Sequence, residues 1–243
     1  MRPVEKKKPG DTVEFKTSMN EGVKHTVRKQ YKPYGEAKEP LAANIGMFCS
    51  YCEEPRGLAD LHIEHIQPKS RKGAEYDWDN FLLSCSMCNT CKNDAEVNLE
   101  TTHFPHLDNT YLDFIYEESG RVRVNPNLPV EEYKKAENLY NLVKMGRDPF
   151  GEEAASKRDF RWKGRYETWN LAKRFLEKYE SGNLTVDDII EIADKLGHWS
   201  VWFTVFKEHD EVRKNLIEHT SGTCTTCFDE NNHYEPVCRE RKV

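Results

Sequence analysis

At 243 residues the chain is long enough for one or two domains with a sizeable core. A mean hydropathy of -0.85 and 32% charged residues describe a well-wetted surface, and the longest strongly apolar run, Trp199 to Phe206, falls far short of the roughly 20 residues a bilayer span needs, so no membrane is expected as a partner. A net charge of -6, from 36 Lys and Arg against 42 Asp and Glu, excludes coating of nucleic acid by bulk charge and leaves any phosphate affinity to local basic patches.

Residues 1–47 are expected to form an N-terminal arm and a lead-in helix. The opening Met-Arg-Pro-Val-Glu-Lys-Lys-Lys is followed by no apolar run and does not read as a secretory signal. The expected compartment is therefore cytoplasmic and reducing, where eight clustered cysteines serve metal rather than disulfides. Up to residue 33 there is little periodicity, which predicts loose or weakly strand-like structure; its cations are either a basic arm or an ordinary solvated leader. From Tyr34 to Met47, Ala37, Leu41 and Ile45 follow helical spacing, with Pro40 in the first turn or at a kink.

Residues 48–100 interleave two chemistries. Cys49 and Cys52, then Cys85 and Cys88, are two Cys-x-x-Cys pairs at the spacing that lets four thiolates close a structural zinc site; Cys91 is left as a spare. Between the pairs stand Glu64 and His65, and directly after Cys88 comes Asn89, followed by Lys92. A carboxylate and an amide oxygen suit Mg2+ or Mn2+, and a neutral histidine beside such an ion can take a proton from water. Leu61 to Glu64 alternates like a short strand, Phe81-Leu-Leu reads as a second, and a helix from about Ser86 to Asn93 would carry Asn89. Neighbouring Glu64 and His65 can address one phosphate only if the first strand ends there, which Gln67-Pro68 encourages. His62, on the Glu64 face, is a conceivable metal neighbour or an exposed strand residue. Lys69, Arg71 and Lys72 in the next loop are phosphate contacts or solubilising charge.

The order Cys-x-x-Cys, Glu-His-Ile-x-Pro-Lys-Ser, Asp-Asn-Phe-Leu-Leu-x-Cys-x-x-Cys-Asn-x-x-Lys resembles the zinc-bearing branch of the HNH endonucleases, whose site is a ββα-metal fold. The resemblance implies that His65 is the general base, that Glu64 and Asn89 hold the catalytic metal, and that Asn80 braces the loop and orients the histidine. The four cysteines would then hold zinc and Lys92 would face the phosphate. Glu64 stands where the family more often has Asp, and Asn89 where its last His would be. More narrowly, the Met-Arg-Pro-Val opening, the Ile45-Gly-Met-Phe-Cys-Ser-Tyr-Cys-Glu53 entry and the Ile-Glu-His-Ile-x-Pro-Lys-Ser core are similar to the HNH subunits of Septu-type antiphage defence systems, which work beside an ABC-type ATPase subunit. The expected substrate is nucleic acid, DNA ahead of RNA. A non-catalytic zinc module that only binds nucleic acid or a protein is the rival reading.

Residues 101–243 are expected to hold a hairpin and a helical domain. Phe114 and Tyr116 precede Glu118-Ser-Gly120, and Val122 and Val124 follow; His103 and His106 read as loop residues. Helices are predicted over Val130 to Val143 and Glu152 to Tyr179, from Thr185-x-x-Asp188 with a capping box, and once or twice more by Ile217. Ser156 to Lys178 holds eight Lys/Arg against three Asp/Glu, so Arg161, Lys163 and Arg165 either track a nucleic-acid backbone or form the solvated back of an aromatic stripe. At the tail, Cys224, Cys227, His233 and Cys238 could hold a second zinc; otherwise the tail is a loosely ordered end. The predicted fold class is α+β, mostly α: a small zinc-bound ββα unit followed by a helical bundle.

Overall fold

The computed structural model describes residues 1–17, 20–69, 74–149 and 158–241. Its elements alternate small antiparallel hairpins with helices, as the predicted α+β class requires. Of the loose or weakly strand-like structure expected for the N-terminal segment, the strand alternative forms: β1 (Thr12–Thr17) pairs with β2 (Asn20–Thr26), Met1 and Val4 are buried, and Lys6 Nζ donates to the backbone oxygens of Trp78 and, at 2.7 Å, Phe81. Positive charge in this arm is thus partly spent inside the protein. A 3-10 turn, Tyr34–Ala37, runs into α1 (Lys38–Ile45), with Pro40 in the first turn where its missing N–H costs nothing.

The ββα unit follows: β3 (His62–His65) pairs antiparallel with β4 (Phe81–Ser84), and α2 (Ser86–Lys92) starts at once behind β4. Trp78 and Phe81 are fully buried beneath it, as their size predicts. The expected hairpin is present as β5 (Phe114–Tyr116) and β6 (Val122–Val124), with α3 (Val130–Leu142) beyond it. Then come α4 (Arg161–Glu180), α5 (Val186–Leu196), α6 (Trp199–Val205) and α7 (Asp210–His219), and a last short pair, β7 (Phe228–Asp229) with β8 (Glu235–Pro236). The capping box at Thr185 and Asp188 forms reciprocally, as read from sequence.

Two hydrophobic cores result. One gathers apolar side chains from Met1 to Met145, and Val201 of α6, around Trp78 and Phe81, so β5, β6 and α3 pack with the cysteine-bearing region; the other joins α4 to α7 and the tail through Trp202, Phe206 and Leu216.

The long helix departs most from expectation. Arg158 to Phe160 are not helical, and 152–157, the predicted first turns, lie outside the described residues, as do the loop residues Ser70, Arg71 and Lys72. Its buried stripe is Arg161, Arg165, Thr168 and Ala172, at helical spacing, while Phe160 and Tyr166 are exposed. A nucleic-acid track along Arg161 and Arg165 is therefore excluded. Arg161 is held by both oxygens of Asp159 at 2.9 and 2.8 Å and by the carbonyls of Val143 and Lys144, each at 2.8 Å. Arg165 donates to Gly120 O at 2.8 Å. Buried cations need such partners; Asp159 is near Arg161 in sequence, but the carbonyls of Val143, Lys144 and Gly120 are 18, 17 and 45 residues from the cations they hold, which local hydropathy cannot reveal. Gly120 is required here twice: its φ is +79°, and a Cβ would lie 2.2 Å from Trp162 O.

The cores are joined at Glu53, which is buried in the turn after the first cysteine pair. Its carboxylate accepts from Ser200 N at 2.8 Å, Ser200 Oγ at 2.6 Å and Arg2 N at 2.5 Å, and its carbonyl accepts from His198 N at 2.9 Å. Replacing Glu53 with Ala strands the three donors on its carboxylate, so the urea midpoint should fall by the equivalent of about 3 kcal/mol. An unchanged midpoint would show that the cores are joined elsewhere.

Candidate metal centre and nuclease site

Cys49 and Cys52 sit in a tight turn closed by Glu53 N on Cys49 O at 2.9 Å and tied to β4 by Ser50 N on Leu83 O at 2.8 Å. Cys85 caps α2, its sulfur accepting from Cys88 N at 3.5 Å. The four sulfurs lie within 4.8 Å of one another, buried, and Cys52 Sγ is 3.7 Å from Cys85 Sγ. Sulfurs bound tetrahedrally at zinc's usual 2.3 Å stand about 3.8 Å apart, so this donor set fits the ion in both chemistry and size. Hydrogen bonds from Cys49, Cys52 and Cys88 hold the Cys85 thiol well below its ordinary value, favouring thiolate in the cluster. Arg161 Nη1 reaches Cys88 Sγ at 3.3 Å, placing a buried cation against a ligand sulfur. Burial opposes that charge, but Asp159 and the cysteines outweigh it and raise the guanidinium pKa. Cys91 stays outside the cluster, contacted by Arg147 and Arg161 at 3.6 and 3.9 Å.

The turn and α2, fixed by these sulfurs, bring Glu64, His65 and Asn89 to the border of one open cleft of about 750 Å³. Because β3 ends at His65, adjacent side chains meet there despite strand alternation. His65 Nε2 contacts Glu75 O at 2.9 Å; a carbonyl only accepts, so Nε2 carries the hydrogen in the neutral ring and Nδ1 is the basic nitrogen. Phe81 and Tyr34 hold the ring edge-on, with centroids at 5.1 and 4.9 Å. Burial, the largest effect, lowers the His65 pKa; Glu75 opposes it, and Lys69 and Lys92 add to it.

Asn80 bridges both ends of the loop after β3: its Oδ1 accepts from Gln67 N at 2.7 Å and its Nδ2 donates to Gln67 O at 3.0 Å and Ala74 O at 2.8 Å. Ala74 precedes Glu75, so Asn80 steadies the carbonyl that orients the imidazole.

Lys92 does not face a phosphate. It is buried, with Nζ 2.8 Å from Glu64 Oε1 and 2.8 Å from His65 O. Burial raises the Glu64 pKa and Lys92 works against that rise. Glu64 Oε1 meets the ammonium outside hydrogen-bond geometry, and the Tyr51 hydroxyl is a second group that favours the ionised carboxylate. With Asn89 on the same cleft, the carboxylate retains hard-oxygen capacity for a divalent cation.

Lys69 is exposed at the cleft, whereas exposed Lys163 is on α4, 3.5 Å from Glu167. His62 borders the cleft and bonds Ser86 Oγ at 2.9 Å. The tail does not assemble the second zinc site. Cys224 Sγ and Cys227 Sγ are 2.8 Å apart, but His233 is exposed on Asp210 at 2.7 Å, Cys238 is exposed, and the four ligands form no cluster among the described residues. His103, expected in a loop, is buried between Asp113 and Glu132, each at 3.0 Å. Tyr34 and Lys38 also border the cleft; read from sequence alone, they belong to a lead-in helix with no chemical role.

A family model described as HNH endonuclease matches residues 49–95. No curated protein matches the chain. The matched segment is the one that carries the four-sulfur cluster and the cleft residues Glu64, His65 and Asn89. An HNH nuclease domain implies metal-dependent cleavage of nucleic acid, and no helix among the described residues is long and apolar enough to cross a membrane. Metal analysis of the purified protein should find one zinc per chain. Cys88→Ser should remove it and Cys224→Ser should leave it in place; the reverse pattern would move the zinc to the tail.

Proposed function

We propose that this chain is a divalent-metal-dependent endonuclease acting on DNA, the effector subunit of a Septu-type antiphage system that works beside an ABC-type ATPase. The observation that carries the nuclease reading is the meeting of Glu64, His65 and Asn89 at one open cleft, with His65 Nε2 tied to Glu75 O and Nδ1 left as the basic atom. His65 Nδ1 takes a proton from water, and the water oxygen attacks phosphorus in line as the bond to the 3′ oxygen breaks. The products carry a 5′-phosphate and a 3′-hydroxyl, the leaving oxygen taking its proton from solvent. Glu64 and Asn89 would hold magnesium or manganese, which would supply positive charge where negative charge develops on the substrate phosphate. Lys92 keeps Glu64 ionised and in place, Asn80 keeps Glu75 on the imidazole, and Lys69 meets backbone phosphate at the mouth.

One site cuts one strand, so a double-strand break takes two copies or two events. A net charge of -6 gives weak bulk attraction to DNA. That suits a nuclease handed its substrate by a partner, which is what the resemblance of the first hundred residues implies.

Labelled DNA and RNA are incubated with the chain, alone and with the ABC-type ATPase if one is encoded beside it, in magnesium or manganese. DNA should be cut, faster with the ATPase, and His65→Ala should cut roughly 10³-fold more slowly while retaining zinc and thermal midpoint. Equal cutting by His65→Ala would leave a zinc-binding module without this chemistry; cutting of RNA alone would change the substrate; indifference to the ATPase would remove the Septu assignment.

A further inference from the structure

One wall of the cleft comes from outside the residues the family model matches. Tyr34 opens the 3-10 turn before α1 and Lys38 opens α1; both border the cleft with Glu64, His65 and Asn89. Tyr34 makes two contacts there. Its ring stands edge-on to His65, at 4.9 Å and 79°, and its hydroxyl accepts from Lys69 Nζ at 2.7 Å, with the ammonium 4.1 Å from the ring centroid.

We infer that Tyr34 is a positioning residue of the nuclease cleft, its ring fixing the imidazole of His65 while its hydroxyl holds the Lys69 ammonium over the cleft mouth as a clamp for the substrate phosphate backbone. The inference rests on the nuclease reading and deepens it. A packing role alone explains the ring but not the hydroxyl. Tyr34 is only half-buried, and Phe would fill the same space against His65. What the hydroxyl adds is a fixed partner for Lys69, the last described residue before position 74. A free lysine samples many rotamers, and contact with both the hydroxyl and the π face narrows them to those beside the cleft. Base and phosphate-binding cation are thus set against each other by one side chain, the alignment on which in-line attack depends. Lys38 adds a second cation on the same wall.

The test separates ring from hydroxyl with the full chain and a labelled oligonucleotide of the class it cuts. Tyr34→Phe should raise KM about fivefold and reduce the slope of log K against log salt by about one, as loss of a phosphate contact does, with kcat within about twofold of wild type. Lys69→Met should do the same, and Tyr34→Phe/Lys69→Met should be no worse than Lys69→Met alone, because both changes break one contact. Tyr34→Leu, which also removes the ring, should lower kcat roughly 10²-fold through misplacement of the base. Should Tyr34→Leu fail to fold, the Phe and Met variants still decide the matter. An unchanged KM and salt slope in Tyr34→Phe, or effects that multiply in the double variant, would overturn the clamp. Oligonucleotide binding measured by fluorescence anisotropy in the His65→Ala background reads the same contact without cutting. A wild type that cuts nothing while Tyr34→Phe still weakens binding would sink the nuclease reading and keep the clamp.

Discussion

Four sulfurs in a space small enough for one ion set the geometry of everything around them. The turn at 49–52 and the start of α2 are more than thirty residues apart, and neither contributes a long apolar face of its own. What brings them together is the shared need of Cys49, Cys52, Cys85 and Cys88 for one cation. With the turn tied to β4 through Ser50 and α2 following β4 without a loop, the position of Asn89 relative to Glu64 and His65 is set by these ligands. The cleft is thus framed by a four-cysteine cluster whose sulfurs do not line it.

The charge of such a cluster has its own consequence. Four thiolates around a divalent zinc leave an excess of two negative charges in a buried place, and uncompensated buried charge is costly. Arg161 answers it by placing Nη1 3.3 Å from Cys88 Sγ, and it sits on the first turn of α4. The helix that opens the C-terminal body is therefore latched to a ligand of the metal site. Glu53, next to Cys52 in sequence, makes the second latch through Ser200 on α6. The two cores meet through these polar contacts and through Val201 and Val205 of α6, which pack against the first core, so a disturbed cysteine cluster would act on the helical body as well as on the cleft.

The same residues explain what the sequence could and could not disclose. The ββα unit was legible because its signals are local: paired cysteines at fixed spacing, a strand ended by Gln67-Pro68, and a helix beginning right after Ser84-Cys85. The hairpin at Gly120 and the capping box at Thr185 were legible for the same reason. Lys92, Arg161 and Arg165 were misread as surface cations because hydropathy treats a lysine or arginine as solvated unless a partner is known. Their partners, Glu64, Cys88 and Gly120, lie 28, 73 and 45 residues away. The tail cysteines failed in the opposite sense. Cys224 and Cys227 are close by spacing alone, but His233 and Cys238 depend on a loop path that spacing does not determine.

Lys92 shows how such misreadings bear on the chemistry. An ammonium exposed to substrate would add affinity and be screened by salt; buried against Glu64 it acts on the carboxylate instead. Desolvation drives a buried carboxyl toward its neutral form, in which it is a poor ligand for a hard cation. A fixed cation at 2.8 Å from Oε1 opposes that drift, as does the Tyr51 hydroxyl. The longer reach of Glu in place of Asp fits this arrangement, since one oxygen can remain on Lys92 while the carboxylate still borders the cleft with Asn89. Among the described residues, the exposed cations of the cleft are then Lys69 and the partly exposed Lys38, one from each wall. On the proposed nuclease reading, phosphate contact would fall to side chains that the cysteine motif does not contain or does not pin, and the lead-in segment before the first cysteine borders the same cleft.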